Sequence, residues 1–487
     1  PTSNIMKKIL SKFNILKETL TKKGFLKLLN YHYFKLIAFS IITFFSFIIY
    51  LSLPVFFDYK NFDKNLQTKI FDDFAINIKD IKGITYSFIP SPHFTIKESK
   101  LSFFKEKKKK EIVKAKNLKI YISAFNLYNK KKIIINKISL RHNNFYLNHK
   151  DLKEFSHHLS YSNNKPIYID SSNFFLIDNM DQVISISPIK NFKYLIDEKK
   201  NKKLLNINGK LFDNDFKYLW KKDYSIPNFL ESSIQFKNPN IKIINQSRKN
   251  KDKIKGSSKI NFLNNKIDFD FEIFENKVIF KTLKNNSDLP DKVELSGIID
   301  LNPFFFNTDI SFSNIDLNLF LDQLFVYLYN LNNSIHPNFN GNLNIKFVNL
   351  NSKLFEDINF NLKFSEEKIK MNPSSIGLKK IGRIFFSNIK YIENNGDLFL
   401  ESIMKLEIDD QKQFFRKFQI PKKGRINLSK ISFILKKSIG DDFYFISDIN
   451  FNTEIDKSLN SQSIYEIEEK KFKNLHQLSK IIREEFN

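Results

Sequence analysis

Ile267, Phe269, Phe271 and Ile273 alternate with Asp268, Asp270 and Glu272. Period two is the repeat of a β-strand, whose successive side chains point to opposite faces, so this segment places apolar groups on one face and carboxylates on the other. The same alternation returns in Leu343, Ile345 and Phe347, and again in Ile431, Phe433 and Leu435. A chain patterned in this way is expected to be mainly β, with one apolar face. That face has to be covered, either by a second packed sheet, as in a sandwich, or by something from outside the chain. Period alone leaves both open.

A second feature concerns the membrane. Leu36 to Phe57, LIAFSIITFFSFIIYLSLPVFF, carries no charge for 22 residues; as a helix it would span about 33 Å, one bilayer crossing. A cleaved signal peptide has a shorter apolar region ending in small residues, whereas Phe, Ile and Leu fill the exit side here, so a retained anchor is expected. A buried core helix would rarely be so uniformly apolar. Lys7, Lys8, Lys12, Lys17, Lys22, Lys23, Lys27 and Lys35 precede it with one acid, Glu18, while Asp58, Asp63, Asp72 and Asp73 dilute the lysines after it. The positive-inside rule then places 1–35 in the cytoplasm and the rest of the chain on the far side. Ile9, Leu10, Phe13, Leu16 and Leu20 among those lysines read either as a basic helix on anionic headgroups or as a disordered tail. Residues 1 to 5 precede Met6-Lys7-Lys8, which has the look of a natural start.

Helices interrupt the strands in three places. Phe62, Leu66, Ile70 and Phe74 fall four apart and predict an amphipathic helix over 61–74. Leu317 to Leu331 is too long and too apolar for a strand, and Asp316 is placed to cap it. Ile464, Ile467, Phe472, Leu475, Leu478 and Ile482 predict a closing amphipathic helix. Asn208-Gly209, Asn340-Gly341 and Asn395-Gly396 are hairpin-turn dipeptides, since both positions tolerate positive φ. With 11 glycines in the chain, other turns are expected to lean on Asn. The resulting division is a basic segment 1–35, an anchor 36–57, two halves of a β domain over 58–255 and 256–455, and a helix in 456–487.

The net charge of +27 raises the question of nucleic acid, but only six of the 79 cations are Arg. Base and phosphate readers lean on the guanidinium fork, so no nucleic-acid partner is expected. The chain has no cysteine, which removes disulfides, thiolate metal sites and cysteine nucleophiles. His157-His158 is the one histidine pair, and on a strand its rings would point to opposite faces, so no metal is expected. There is no GxSxG, no dinucleotide GxGxxG and no phosphate loop: IKGSSK at 254–259 lacks the second glycine and the following lysine. Asp409-Asp410 and Asp441-Asp442 read as turn residues, and Lys107 to Lys110 as a solvated loop. No catalytic constellation and no cofactor site emerges, and an enzyme is not expected.

One segment is more particular. In GITYSFIPSPHFTIKESKLSF, Gly83 to Phe103, Pro90 and Pro92 stand between runs of strand character and mark a corner or sheet edge. A basic N-terminus, one apolar helix ending in Leu53-Pro54, a short amphipathic helix and then this segment resemble the start of the AsmA family of Gram-negative envelope proteins. Gly83, Tyr86, Phe88, Pro90, Pro92 and Phe94 match that family's glycine, strand and PxP turn. Leu205 to Leu219 and Phe339 to Leu350 are similar to its recurring strand pairs. The chain departs from the pattern where Asp73 and Phe74 stand in place of a glycine.

The resemblance implies a fold and no reaction: a long antiparallel β-meander rolled into an open apolar trough, as in TamB-like and chorein-type bridge proteins, anchored by one inner-membrane helix with the bulk of the chain in the periplasm. It implies phospholipid as the partner, carried by its acyl chains between inner and outer membranes in outer-membrane biogenesis, with an outer-membrane or periplasmic protein as a further partner. Ile267, Phe269, Phe271, Ile273, Leu343, Ile345, Phe347, Ile431, Phe433 and Leu435 would then line the groove. The other reading is an anchored assembly factor that helps outer-membrane proteins fold by strand pairing at an exposed edge.

Overall fold

The computed structural model describes residues 32–57, 63–74, 76–102, 113–128, 133–152, 165–178, 180–197, 199–226, 228–238, 240–250, 253–262, 265–282, 293–313, 317–332, 334–350, 352, 354–394, 397–439, 441, 443–452 and 469–486. The basic segment before residue 32, Phe62, Lys107 to Lys110, His157-His158, Asp316, Asn395-Gly396, Asp442, Ile464 and Ile467 lie outside the described residues.

Helix α1 (His32–Ser52) runs into a 3-10 turn, Leu53–Phe56, that has Pro54 in its first positions, where a missing N–H costs nothing. Its apolar window, Leu36–Phe56, has a mean hydropathy of 2.4 and buries no residue but Pro54, so it is long and apolar enough to cross a membrane and is not a core helix. Helix α2 (Asp63–Phe74) follows and buries Leu66, Ile70 and Phe74 completely or nearly so. Asp73, at the position where the expected glycine is missing, is held by Lys69 at 3.2 Å and Lys165 at 2.7 Å.

Beyond α2 the described strands form one sheet of 24 strands. A first antiparallel block comprises β1 (Asn77–Ser87), β2 (His93–Ser102), β3 (Val113–Ile122) and β4 (Ile135–Arg141). The short β5 (Asn144–Leu147) continues the line of β4. Both lie parallel to β6 (Ile167–Ile177) in a single register, with Ile138 opposite Ile167 and Asn144 opposite Asn173. At the break between them Asn143, 2% exposed, uses its side-chain amide as a strand would use its backbone: it accepts from Lys116 N–H at 2.6 Å and donates to Lys116 O at 3.2 Å.

From β6 an antiparallel meander runs without a break. It comprises β7 (Val183–Asp197), β8 (Lys202–Leu211), β9 (Asn214–Asp223), β10 (Phe229–Phe236) and β11 (Ile241–Asn250). It goes on through β12 (Lys253–Phe262), β13 (Asn265–Phe274), β14 (Lys277–Thr282), β15 (Val293–Leu301) and β16 (Phe304–Ser313). Gly256, where the sequence divides the β domain in two, lies inside β12 and is paired on both sides.

Helix α3 (Leu317–Asn332) then carries the chain to β17 (Asn340–Val348), which is parallel to β16. Parallel neighbours cannot be joined by a tight turn and need such a crossover. The last block is antiparallel: β18 (Phe355–Ser365), β19 (Lys368–Leu378), β20 (Gly382–Asn394), β21 (Asp397–Ile408), β22 (Lys430–Ser438), β23 (Tyr444–Phe451) and β24 (Lys470–Phe472). Helix α4 (Gln411–Lys417) sits between β21 and β22, and α5 (Leu475–Glu484) follows β24. β1 pairs only with β2 and β24 only with β23, so the sheet is long, mostly antiparallel and open. It is not a sandwich.

Several local expectations are corrected. Asn208-Gly209 is inside β8, and the turn falls at Phe212-Asp213, both at positive φ. A Cβ on Gly209 would meet the Pro188 carbonyl oxygen at 2.5 Å, so this glycine serves close approach of strands and not a turn. Asn340-Gly341 opens a strand after a crossover. Asp410 is a helix cap, accepting from Gln413 N–H at 3.0 Å. Phe472 belongs to β24, and the described closing helix begins at Leu475. Turns lean on Asp and Glu as well as Asn, with Glu275, Glu366 and Glu367 among the residues at positive φ.

Candidate functional site

Residues directly opposed on neighbouring strands share a face, so the face occupied by Phe271 can be followed from strand to strand. Leu230, Ser247, Gly256, Phe271, Phe280 and Gly297 make one row across β10 to β15. Trp220, Ser232, Asn245, Ser258, Phe269 and Thr282 make the next, across β9 to β14. Beyond them run Tyr218, Ile234, Ile243, Ile260 and Ile267. Asp268, Asp270 and Glu272 stand on the other face, where Lys253 and Lys255 reach Glu272 at 3.2 and 3.7 Å. The apolar face is not uniformly apolar: Asn245 links Ser232 and Ser258 by hydrogen bonds within its own row.

Three phenylalanines on this face lie over glycines of the adjacent strand. Phe271 covers Gly256, Phe280 covers Gly297 and Phe306 covers Gly341, each the directly opposed residue. A Cβ would sit 2.5 Å from the Phe271 ring at Gly256 and 2.6 Å from the Phe280 ring at Gly297. The rings thus reach over the neighbouring strand into the space that a side chain at the glycine would otherwise fill. These close approaches are the signal that sequence reading missed, with Gly341 taken for a turn position: a lone glycine in an alternating strand marks a close approach.

Cover over the apolar face differs along the sheet. Under α2, Ile96, Leu118, Ile120, Ile135 and Phe192 are at most 1% exposed and form a packed core with Leu66 and Ile70. Under α3, Phe347 is 0% exposed, stacked on Phe312 at 5.3 Å and edge-on to Phe360. Between these two cores no residue of β11 to β14 belongs to any hydrophobic cluster among the described residues. Of the expected groove residues, Phe269, Phe271 and Ile273 lie in that stretch half-buried, and Ile267 is buried. Leu343 is half-buried, whereas Ile345 and Phe347 are sealed core residues.

Ile431, Phe433 and Leu435 line a separate cavity of about 680 Å³ in the last block. Phe414 and Phe418 close it from the β21–β22 connection and Leu475, Leu478 and Ile482 from α5, with Lys437 and Lys473 among its few polar groups. That volume is in the usual range of small-molecule sites, ~300 to 1,000 Å³. On β8 Lys203 is 3% exposed, opposite Lys222 of β9 on the same face. Burial, and then the charge of Lys222, lowers its pKa to about 8.

The PxP segment has a structural role. Gly83 takes φ +66° in β1. Tyr86 is buried, packs edge-on against Phe94 at 5.7 Å and donates its hydroxyl to Leu51 O at the end of α1, at 2.9 Å. Burial pushes its phenol up to about 12. Phe88 is half-buried and Pro90 exposed, while buried Pro92 accepts from Ile122 N–H at 3.0 Å. Two tyrosines that the sequence did not single out complete the joint: Tyr50 donates to Ala124 O at 3.2 Å and Tyr128 to Tyr50 O at 2.5 Å.

Among the described residues no group of three or more His, Cys, Asp or Glu is placed to hold a metal ion. Fold and site together define a mainly β protein: one long open sheet with an apolar face, joined to the one helix among the described residues that is long and apolar enough to cross a membrane. No protein-family model and no curated protein matches the chain. A solved structure described as the crystal structure of a sex pheromone staph-cAM373 precursor aligns over 65% of this chain and 91% of its own, at 8% identity and a TM-score of 0.13, and carries no argument.

Proposed function

We propose that the protein is an anchored lipid carrier, in which phospholipid acyl chains lie against the apolar face of the sheet and move along it between membranes. The observation that carries this reading is the floor of β11 to β14, largely apolar and, among the described residues, outside every packed cluster, set between two sealed cores. Each methylene that leaves water for such a floor gains about 0.8 kcal/mol, and with strands ~4.8 Å apart the sheet extends on the order of 100 Å along its curve. The lysines before α1 support a cytoplasmic N-terminus by the positive-inside rule, and in this reading α1 sits in the inner membrane of a Gram-negative envelope with the sheet in the periplasm. The resemblance of Gly83 to Phe94 to the AsmA family points the same way.

Strand pairing with outer-membrane proteins is less well supported. Of the two free edges, β24 is three residues long among the described residues and begins Lys470-Lys471, a short charged edge that blunts strand addition, and β1 lies beside the end of α1 and against α2. A photo-crosslinking residue at Phe271 should capture phospholipid in cells, and one at Asp270, on the opposite face, should not. Equal labelling at both positions, or none at either in folded protein, removes the carrier reading.

A further inference from the structure

We infer that the loops beside the end of α1 form a lipid-inserting platform, which seats the first strands of the sheet on the surface of the bilayer that α1 crosses. The β1–β2 loop and the β3–β4 connection leave the sheet at the same end, because Ile122 N–H of β3 bonds to Pro92 O at 3.0 Å. Both are tied to the last residues of α1, the first through Tyr86 and Leu51, the second through Tyr50, Ala124 and Tyr128. The tie is made of side chains as well as hydrogen bonds, with the Tyr50 and Tyr128 rings 4.9 Å apart and Phe57 6.0 Å from Tyr128.

From this joint large apolar side chains project outward. Phe125, next to the bonded Ala124, is 89% exposed, Ile89 is 69% and Phe56 is 83%. They continue the exposed surface of α1, whose Phe39, Phe44 and Phe45 are 58 to 70% exposed. Ordinary surfaces carry single apolar residues without consequence, but a cluster of this size marks contact with a partner. The partner is set by position: the cluster is fixed to the end of a membrane-spanning helix, at the depth where aromatic side chains and tyrosines collect in bilayers. The inference does not depend on lipid transport.

The cysteine-free chain permits a direct test. Full-length Phe125→Cys, Ile89→Cys and Lys114→Cys variants, the last on β3 at the opposite end of the strand, are spin-labelled and reconstituted in phosphatidylethanolamine–phosphatidylglycerol vesicles. Labels at 125 and 89 should be reached by oxygen in preference to a water-soluble nickel chelate, and the label at 114 should show the reverse. Nickel access at 125 and 89 equal to that at 114 overturns the inference. So does protection of those labels from both reagents, which would indicate a protein partner. All three side chains are exposed, so their replacement leaves the core intact.

Discussion

The ring of Phe271 lies on Gly256, its directly opposed neighbour across the β12–β13 ladder. The contact makes a prediction about the floor itself. In Gly256→Val the new Cβ would meet the Gln246 backbone oxygen as well as the ring, and the paired strand cannot move away freely. The variant should lose about 1–3 kcal/mol, as overpacked sites do, with amide exchange accelerated in β12 and β13 and unchanged in β1 to β4. Uniform protection across the sheet would show that the ring yields without effort.

Lysine scanning should separate the floor from the cores. Phe347→Lys places an ammonium where no water reaches, at a cost of several kcal/mol, and should abolish accumulation of folded protein. Phe271→Lys should accumulate and resist protease, because its side chain is half-buried on an uncovered face. If the carrier proposal holds, this second variant fails to move labelled phospholipid between inner- and outer-membrane vesicles. Full transfer by folded Phe271→Lys would rule out passage over the floor.

Tyr86 supplies a pH dependence. Its folded pKa, raised by burial from 10 to about 12, means that its contribution is complete below pH 10 and is lost as pH rises toward 12. Tyr86→Phe should remove that alkaline loss and, at neutral pH, cost about 0.5–1.5 kcal/mol for the bond to Leu51 O. Ultraviolet titration of the phenols against pH, with and without Tyr86, measures the first effect and chemical denaturation the second.

Lys203 titrates with the opposite sense. Its pKa falls from 10.5 to about 8 in the folded chain, so between those values the unfolded state holds more protons and stability rises with pH. Lys203→Met should flatten that rise and stabilise the protein at pH 7 by on the order of 1–3 kcal/mol, at about 1.4 kcal/mol per pKa unit. Parallel stability curves for the two proteins from pH 7 to 10 would show that Lys203 is charged at no cost.

Asn143 tests the break between β4 and β5. Asn143→Ala leaves Lys116 N–H and O without the amide that matches them, and buried groups stripped of a partner cost about 1–3 kcal/mol. Hydrogen exchange should speed up at Lys116 first. Asn143→Asp, which retains the acceptor but sets a buried carboxylate oxygen against the Lys116 and Arg141 carbonyls, should cost at least as much as the alanine.

The long apolar helix, the mainly β character and the identity of the apolar face were legible in the sequence. A charge-free run and a period of two are properties of neighbouring residues, and no distant contact is needed to express them. Ile267 to Ile273 therefore stand on the face their alternation assigns. What covers that face was decided by tertiary structure. Phe347 and Phe271 sit in equally alternating strands, yet one is sealed under α3 and the other lies on an open floor, because α3 lies in the crossover after β16 and no described helix lies between β6 and β16. The glycines were misread for the same reason. Asn208-Gly209 and Asn340-Gly341 carry turn chemistry locally, but Gly209 and Gly341 are needed where Ile189 and Phe306 of neighbouring strands press on them. Tyr50 and Tyr128 lie 78 residues apart, and only the path of the chain through β1 to β3 brings them to one joint.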